Sequence, residues 1–200
     1  MIRKKLLLLF IFCFISLIFP SSLQAHPHVF IDNQVEYVFD KNGLAGISVK
    51  WVFDEMYSSS LIMDYDQNKD NSFNPVEISL IQQKAFANLK SSHYFIYIRI
   101  NGKGFTVKEV THFSASIDKN KVVYYFFIPC ILAAGSIEQE LKVSVYDESY
   151  YVEVTTKYKN AVRLVNPASF SYSYSVTDDE DHPYYYDQVL SQVIDLKFKK

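Results

Sequence analysis

The sequence predicts a mainly β (α+β) protein, an antiparallel β-sandwich-like domain carrying an inserted EF-hand helix–loop–helix. Three observations lead there. The 16 Tyr and 16 Phe fall largely in segments that alternate apolar and polar residues, the period of half-buried strands. Turn signals such as Asp40-Lys41-Asn42-Gly43 and Asn101-Gly102 separate several of these segments. Between two helical stretches lie the residues Asp66 to Glu77, in which every second or third position offers an oxygen donor.

Length and composition bound the rest. A chain of 200 residues with 49% hydrophobic content makes one domain with a substantial core. A net charge of −2 leaves no basic footprint, so nucleic acid is not an expected partner. Residues 1–25 have the pattern of a signal peptide: Arg3, Lys4 and Lys5, then the apolar run Leu6 to Phe19, then a region ending in Ala25. That run falls short of the roughly 20 residues a spanning helix needs, so the expectation is a periplasmic protein with no membrane span after cleavage. Residues 26–200 then form a single β-rich domain, with the EF-hand-like insertion at about 54–90. Cys130 is the only cysteine left after cleavage, flanked by Pro129 and Ile131, and is expected to be a buried thiol outside any disulfide.

Cleavage after Ala25 would expose His26-Pro27-His28. A terminal amine beside an imidazole, with a second imidazole two residues on, is a donor set for Zn2+, Ni2+, Co2+ or Cu2+. Pro27 has no N–H to surrender, which disfavours a square-planar site built on backbone amides. The alternative is two histidines that open the first strand without a metal.

From Val29 the chain alternates, with Val29, Ile31, Val35, Tyr37 and Phe39 on one face. After the turn at Asp40 to Gly43, Ile47, Val49, Trp51 and Phe53 continue that face on the return strand. Asp54 is placed to cap a helix through about Met63. In the loop that follows, Asp66, Asn68 and Asp70 occupy positions 1, 3 and 5, Ser72 offers its carbonyl at 7, Asn74 stands at 9 and Glu77 at 12. Calcium takes six to eight oxygens, and this spacing wraps them around one point. Asn71 stands where glycine is usual, and asparagine tolerates the left-handed backbone that the turn requires. Asn74-Pro75 forms an N-cap and first helical position, which puts Glu77 at N3 of an outgoing helix reaching about Leu89. A plain acidic surface turn is the competing reading.

Further strands are expected at Tyr94 to Ile100, Phe105 to Val107, Val110 to Ile117, Val122 to Ile128, Leu141 to Tyr146, Tyr151 to Thr156, Val162 to Val165 and Phe170 to Val176. Gln192 to Phe198 is a last strand or a short helix. The run Asp178-Asp179-Glu180-Asp181-His182 is expected to be a solvated loop, with weak cation binding as the alternative. No glycine-rich phosphate loop and no nucleophile with an evident partner is present, so an enzyme is not expected.

Four segments in this order resemble the exported bacterial family called domain of unknown function 1007. They are Ala25 to Asp32, Trp51 to Ser58, the acidic loop Asp66 to Glu77, and Tyr146 to Tyr151. The resemblance implies a periplasmic protein and an accessory role beside nickel, cobalt or zinc transport systems, with a membrane metal transporter as partner. It also draws attention to Asp54, Asp147 and Tyr150, which lie in the shared motifs. The expectation is therefore a non-catalytic metal-binding protein, with Ca2+ in the loop and a transition metal at His26 and His28. The alternatives are a calcium-stabilised binding module without a transition metal, or a copper-dependent oxidative enzyme.

Overall fold

The computed structural model describes residues 27–156 and 161–200; residues 1–25, expected to be a signal peptide, and His26 lie outside them. β1 (Val29–Asp40) and β2 (Gly43–Phe53) form the expected hairpin, with Ile31 opposite Phe53 and Asp40 opposite Gly43. The Asp40 carboxylate closes the turn by accepting from the Asn42 and Gly43 amides. Gly43 cannot be replaced there, because a β-carbon would stand 2.3 Å from the Leu132 carbonyl oxygen.

The insertion follows directly. α1 (Glu55–Tyr65) starts on Asp54, whose side chain accepts from the Tyr57 amide, and α2 (Pro75–Lys84) starts on Asn74. Buried Ser58 fastens α1 to the sheet: its hydroxyl accepts from the Val122 amide at 2.9 Å. The regular helix ends at Lys84 and not near Leu89; a 3-10 segment, Phe86–Phe95, replaces its last turns. Packing explains the break, since Phe86 turns inward against Phe113 at 4.4 Å and Phe126 at 5.1 Å. His93, Tyr94 and Phe95 then take left-handed backbone, which delays the next strand to Ile96.

The remaining strands are β3 (Ile96–Ile100), β4 (Lys103–Phe105), β5 (Thr111–Asp118), β6 (Lys121–Ala133), β7 (Gln139–Val145), β8 (Val152–Thr156), β9 (Val162–Val165), β10 (Ser171–Asp178) and β11 (Gln192–Lys199). The chain end is thus a strand and not a helix. One sheet runs β5-β6-β2-β1-β8 with β9 also on β1, and the other β10-β11-β7-β3-β4. The fold is mainly β, with two antiparallel-rich sheets and a helical insertion between β2 and β3.

One departure from the antiparallel expectation matters. β8 and β9 both pair with β1 in parallel, Val29 opposite Val152 and Val35 opposite Val162. The chain reaches β8 by crossing from β7 in the other sheet, so it enters from the end where β1 begins. A parallel pair needs such a crossover, which no hairpin signal announces.

The two sheets share one core, in which Phe39 of β1 meets Phe198 of β11 at 5.1 Å. Trp51 lies at its centre, fully buried, against Phe126 and Phe95. Its indole N–H donates to Asn33 Oδ1, and the Asn33 amide in turn donates to Thr156 Oγ1 at 2.9 Å. Asn33 shares the buried face of β1, and its polar groups are satisfied by partners on the strands at either side.

Candidate functional site

The acidic loop is wound, not splayed. Asp66 and Glu77 bracket it and are both buried, at 7% and 1% exposure, whereas Asp70 between them is exposed. Asp66 accepts from the Asp70 amide through Oδ1 and from the Asn71 amide through Oδ2. Glu77 accepts from Gln67 and Asn68 through Oε1 and from Asn74 through Oε2, so one carboxylate ties the loop's entry to its exit. Asn74 returns the favour by accepting from the Val76 and Glu77 amides, completing a capping box.

Left-handed residues allow this winding. Asn71 has φ 61°, the conformation its place in the loop called for, and Lys69 has φ 59°. Asp70 accepts from the Ser72 amide and hydroxyl and from the Asn68 side chain. Hydrogen bonds from Ser72 and then Asn68 hold its carboxyl below the ordinary carboxylate range. Phe73 turns toward the core, packing the loop against the domain. Among the described residues, no three His, Cys, Asp or Glu side chains are gathered in a metal-holding arrangement. The loop's carboxylates are instead directed at its own backbone amides.

The second constellation sits at the start of β1. His28 is exposed, its amide donates to the Tyr151 carbonyl at 2.9 Å, and its ring lies 4.9 Å from the Tyr151 ring. Asp54 clamps the neighbouring residue: Phe30 N–H donates to its Oδ2 and Phe30 C=O accepts from its amide. Buried Asp147 organises the facing turn by accepting from Ser149 and from the Val152 amide. Asp54 and Asp147 therefore converge on the amino-terminal strand, whereas Tyr150 turns away toward Tyr184 and Tyr185. Beside Asp147 lies a mostly apolar cavity of ≈ 360 Å³, lined among others by Trp51, Tyr57, Tyr124 and Tyr151.

The acidic run near the end of the chain is more structured than its composition announced. Asp179 is buried, bonded to Arg99 at 2.8 Å and to the His182 ring at 2.9 Å. Burial pushes its carboxyl up, but hydrogen bonds and charge from His182 and Arg99 outweigh that and hold it below its ordinary value. The run therefore anchors β10 to β3 through this ion pair. Cys130 is buried, and that burial raises its thiol to about 11, so it is inert near neutral pH.

Sequence comparisons place these features in a wider group. A protein from Haemophilus influenzae described as uncharacterized is 31% identical over 140 residues, covering 69% of this chain and 66% of its own length. An uncharacterized 15.5 kDa protein encoded in the trpE 3′ region of Spirochaeta aurantia is 31% identical over 104 residues, covering 52% of this chain and 74% of its own. No solved structure matches. The sequence model of the family described as protein of unknown function DUF1007 matches residues 11–196, and it takes in the motifs gathered at the start of β1 and the acidic loop alike. The chain belongs to the DUF1007 family.

Proposed function

We propose that this protein is an exported, non-enzymatic metal-binding accessory protein: its Asp66–Glu77 loop takes calcium, and its amino terminus takes a transition metal on behalf of a membrane metal transporter. One observation carries the calcium half. The insertion's two buried carboxylates, Asp66 and Glu77, stand at opposite ends of one loop and turn their oxygens into it. Their four oxygens all accept from loop amides, which holds both carboxylates ionised and aimed into the loop, where they keep lone pairs for a cation. A divalent ion held by them with Asp70, Asn68, Asn74 and the Ser72 carbonyl fits the hard, all-oxygen donor set of the loop. Its chemistry would be electrostatic bracing of α1 against α2.

The transition-metal half rests on donor chemistry at the start of β1. His28 is exposed beside Tyr151, and imidazole suits zinc, nickel, cobalt or copper. Calorimetric titration of chelator-treated mature chain tests both halves. Calcium should bind with one-to-one stoichiometry and lose affinity in Asp66→Asn. A transition metal should compete separately and lose affinity in His28→Ala. Absence of calcium binding at about millimolar ion, the affinity range of extracellular modules, removes the first half; unchanged transition-metal affinity in His28→Ala removes the second.

A further inference from the structure

Beside the turn that follows β7 lies an open groove of ≈ 760 Å³, within the size range of small-molecule sites. Five of its nine lining residues are tyrosines: Tyr146, Tyr151, Tyr184, Tyr185 and Tyr186. Its charged lining residues are the carboxylates Glu148 and Asp187, and none of the described residues lining it is Lys, Arg or His.

The rings are braced from behind. Tyr97 stacks on Tyr146 at 4.1 Å and 15°, and Tyr146 meets Tyr184 at 4.6 Å. Tyr150 supports Tyr184 and Tyr185 from the side. The outer wall is a tight turn closed by the Tyr184 and Val189 backbone pair. In it Tyr185, Tyr186 and Asp187 have successive φ values of 49°, 58° and 60°. Three consecutive left-handed residues other than glycine are energetically expensive. Here the turn delivers Tyr186 to the rim, 85% exposed.

Ring geometry narrows the ligand. Neighbouring rings of the lining meet at 36° for Tyr146 and Tyr184 and at 63° for Tyr185 and Tyr186, so they do not form the flat platform on which a sugar ring stacks. Tyrosine faces present a negative quadrupole, which attracts a cation without coordinating it. Two carboxylates fall short of the six to eight oxygens that calcium takes, and the described lining residues offer no imidazole or thiol for a softer ion. An organic cation answers both the aromatic faces and the carboxylates. We infer that this groove binds a small organic ammonium ion, its charged head against the tyrosine faces and Glu148 and Asp187 supplying the countercharge.

The inference is independent of the calcium loop, none of whose residues line the groove. Choline and its neutral carbon isostere, 3,3-dimethylbutanol, test it on the mature chain by NMR titration. Choline should bind saturably, and the isostere roughly tenfold more weakly, since only the charge differs. Tyr186→Ala should weaken choline by roughly three- to tenfold with an unchanged melting temperature, because its ring is on the rim. Glu148→Gln should weaken it as well and reduce its salt sensitivity. Equal binding of the isostere, no saturation by choline, full affinity in both variants, or binding of cellotriose in place of choline would each overturn the assignment.

Discussion

Glu77→Gln isolates what the buried carboxylate does for the loop before any ion is considered. In the native chain Oε1 accepts from Gln67 and Asn68 and Oε2 accepts from Asn74, and the residue is 1% exposed. A glutamine of the same shape offers one oxygen and one amide nitrogen. Whichever way it is turned, an N–H donor faces another N–H donor at one end of the loop. A charge-assisted hydrogen bond contributes about 1.5–3 kcal/mol, and a carboxylate in the first turn of a helix adds about 0.3–1 kcal/mol. The expected loss without calcium is therefore about 2–4 kcal/mol, or a fall of about 5–15 °C in melting temperature for a domain of this size. Thermal unfolding followed by circular dichroism in excess chelator reads this directly. Saturating calcium should widen the gap, because the native chain gains linkage stabilisation that the variant lacks. A shift under about 1 °C in chelator would refute the reasoning, since replacing a buried, charge-assisted hydrogen-bond acceptor cannot be that cheap.

Three further outcomes are expected. Trp51→Phe removes the indole donor to Asn33 within a fully buried site and should cost about 2–4 kcal/mol in denaturant unfolding, more than its change in volume alone explains. Tyr37→Phe should leave stability unchanged or raise it by about 1 kcal/mol, because the Tyr37 hydroxyl is buried without a hydrogen-bond partner among the described residues. Asp179 has a carboxyl below its ordinary 3.8 in the folded chain, so it contributes stability above that pH and loses it as the pH falls through the folded value. Melting temperatures measured from about pH 5 down to about pH 2 should fall less steeply in Asp179→Asn than in the native chain.

What the sequence made legible was local. The caps at Asp54 and Asn74, the left-handed Asn71 and the β1–β2 turn each depend on neighbours a few residues apart, and each appears where the spacing put it. What it hid was distant. Asn33 fits the alternation of β1 as a buried position, but its partner Thr156 stands 123 residues away, so nothing nearby marks it as satisfied. The parallel pairing of β8 and β9 follows from a crossover between sheets, and short-range turn signals carry no information about that. The tyrosine groove draws on Tyr97, Tyr146 and Tyr184, separated along the chain and aligned only when β3 lies beside β7. A run of three tyrosines at 184–186 was the one local signal, and the left-handed turn that orients them has no glycine to announce it.

Calcium binding is tested most directly by a crystal structure of residues 26–200 grown with calcium, with anomalous scattering used to identify any ion in the loop. One ion is expected inside Asp66–Glu77, at about 2.3–2.6 Å from oxygens of Asp66, Asp70 and Glu77, with Glu77 drawn from its amide partners toward the ion. A loop without an ion at saturating calcium, with Glu77 still bonded to Gln67 and Asn74, would contradict it.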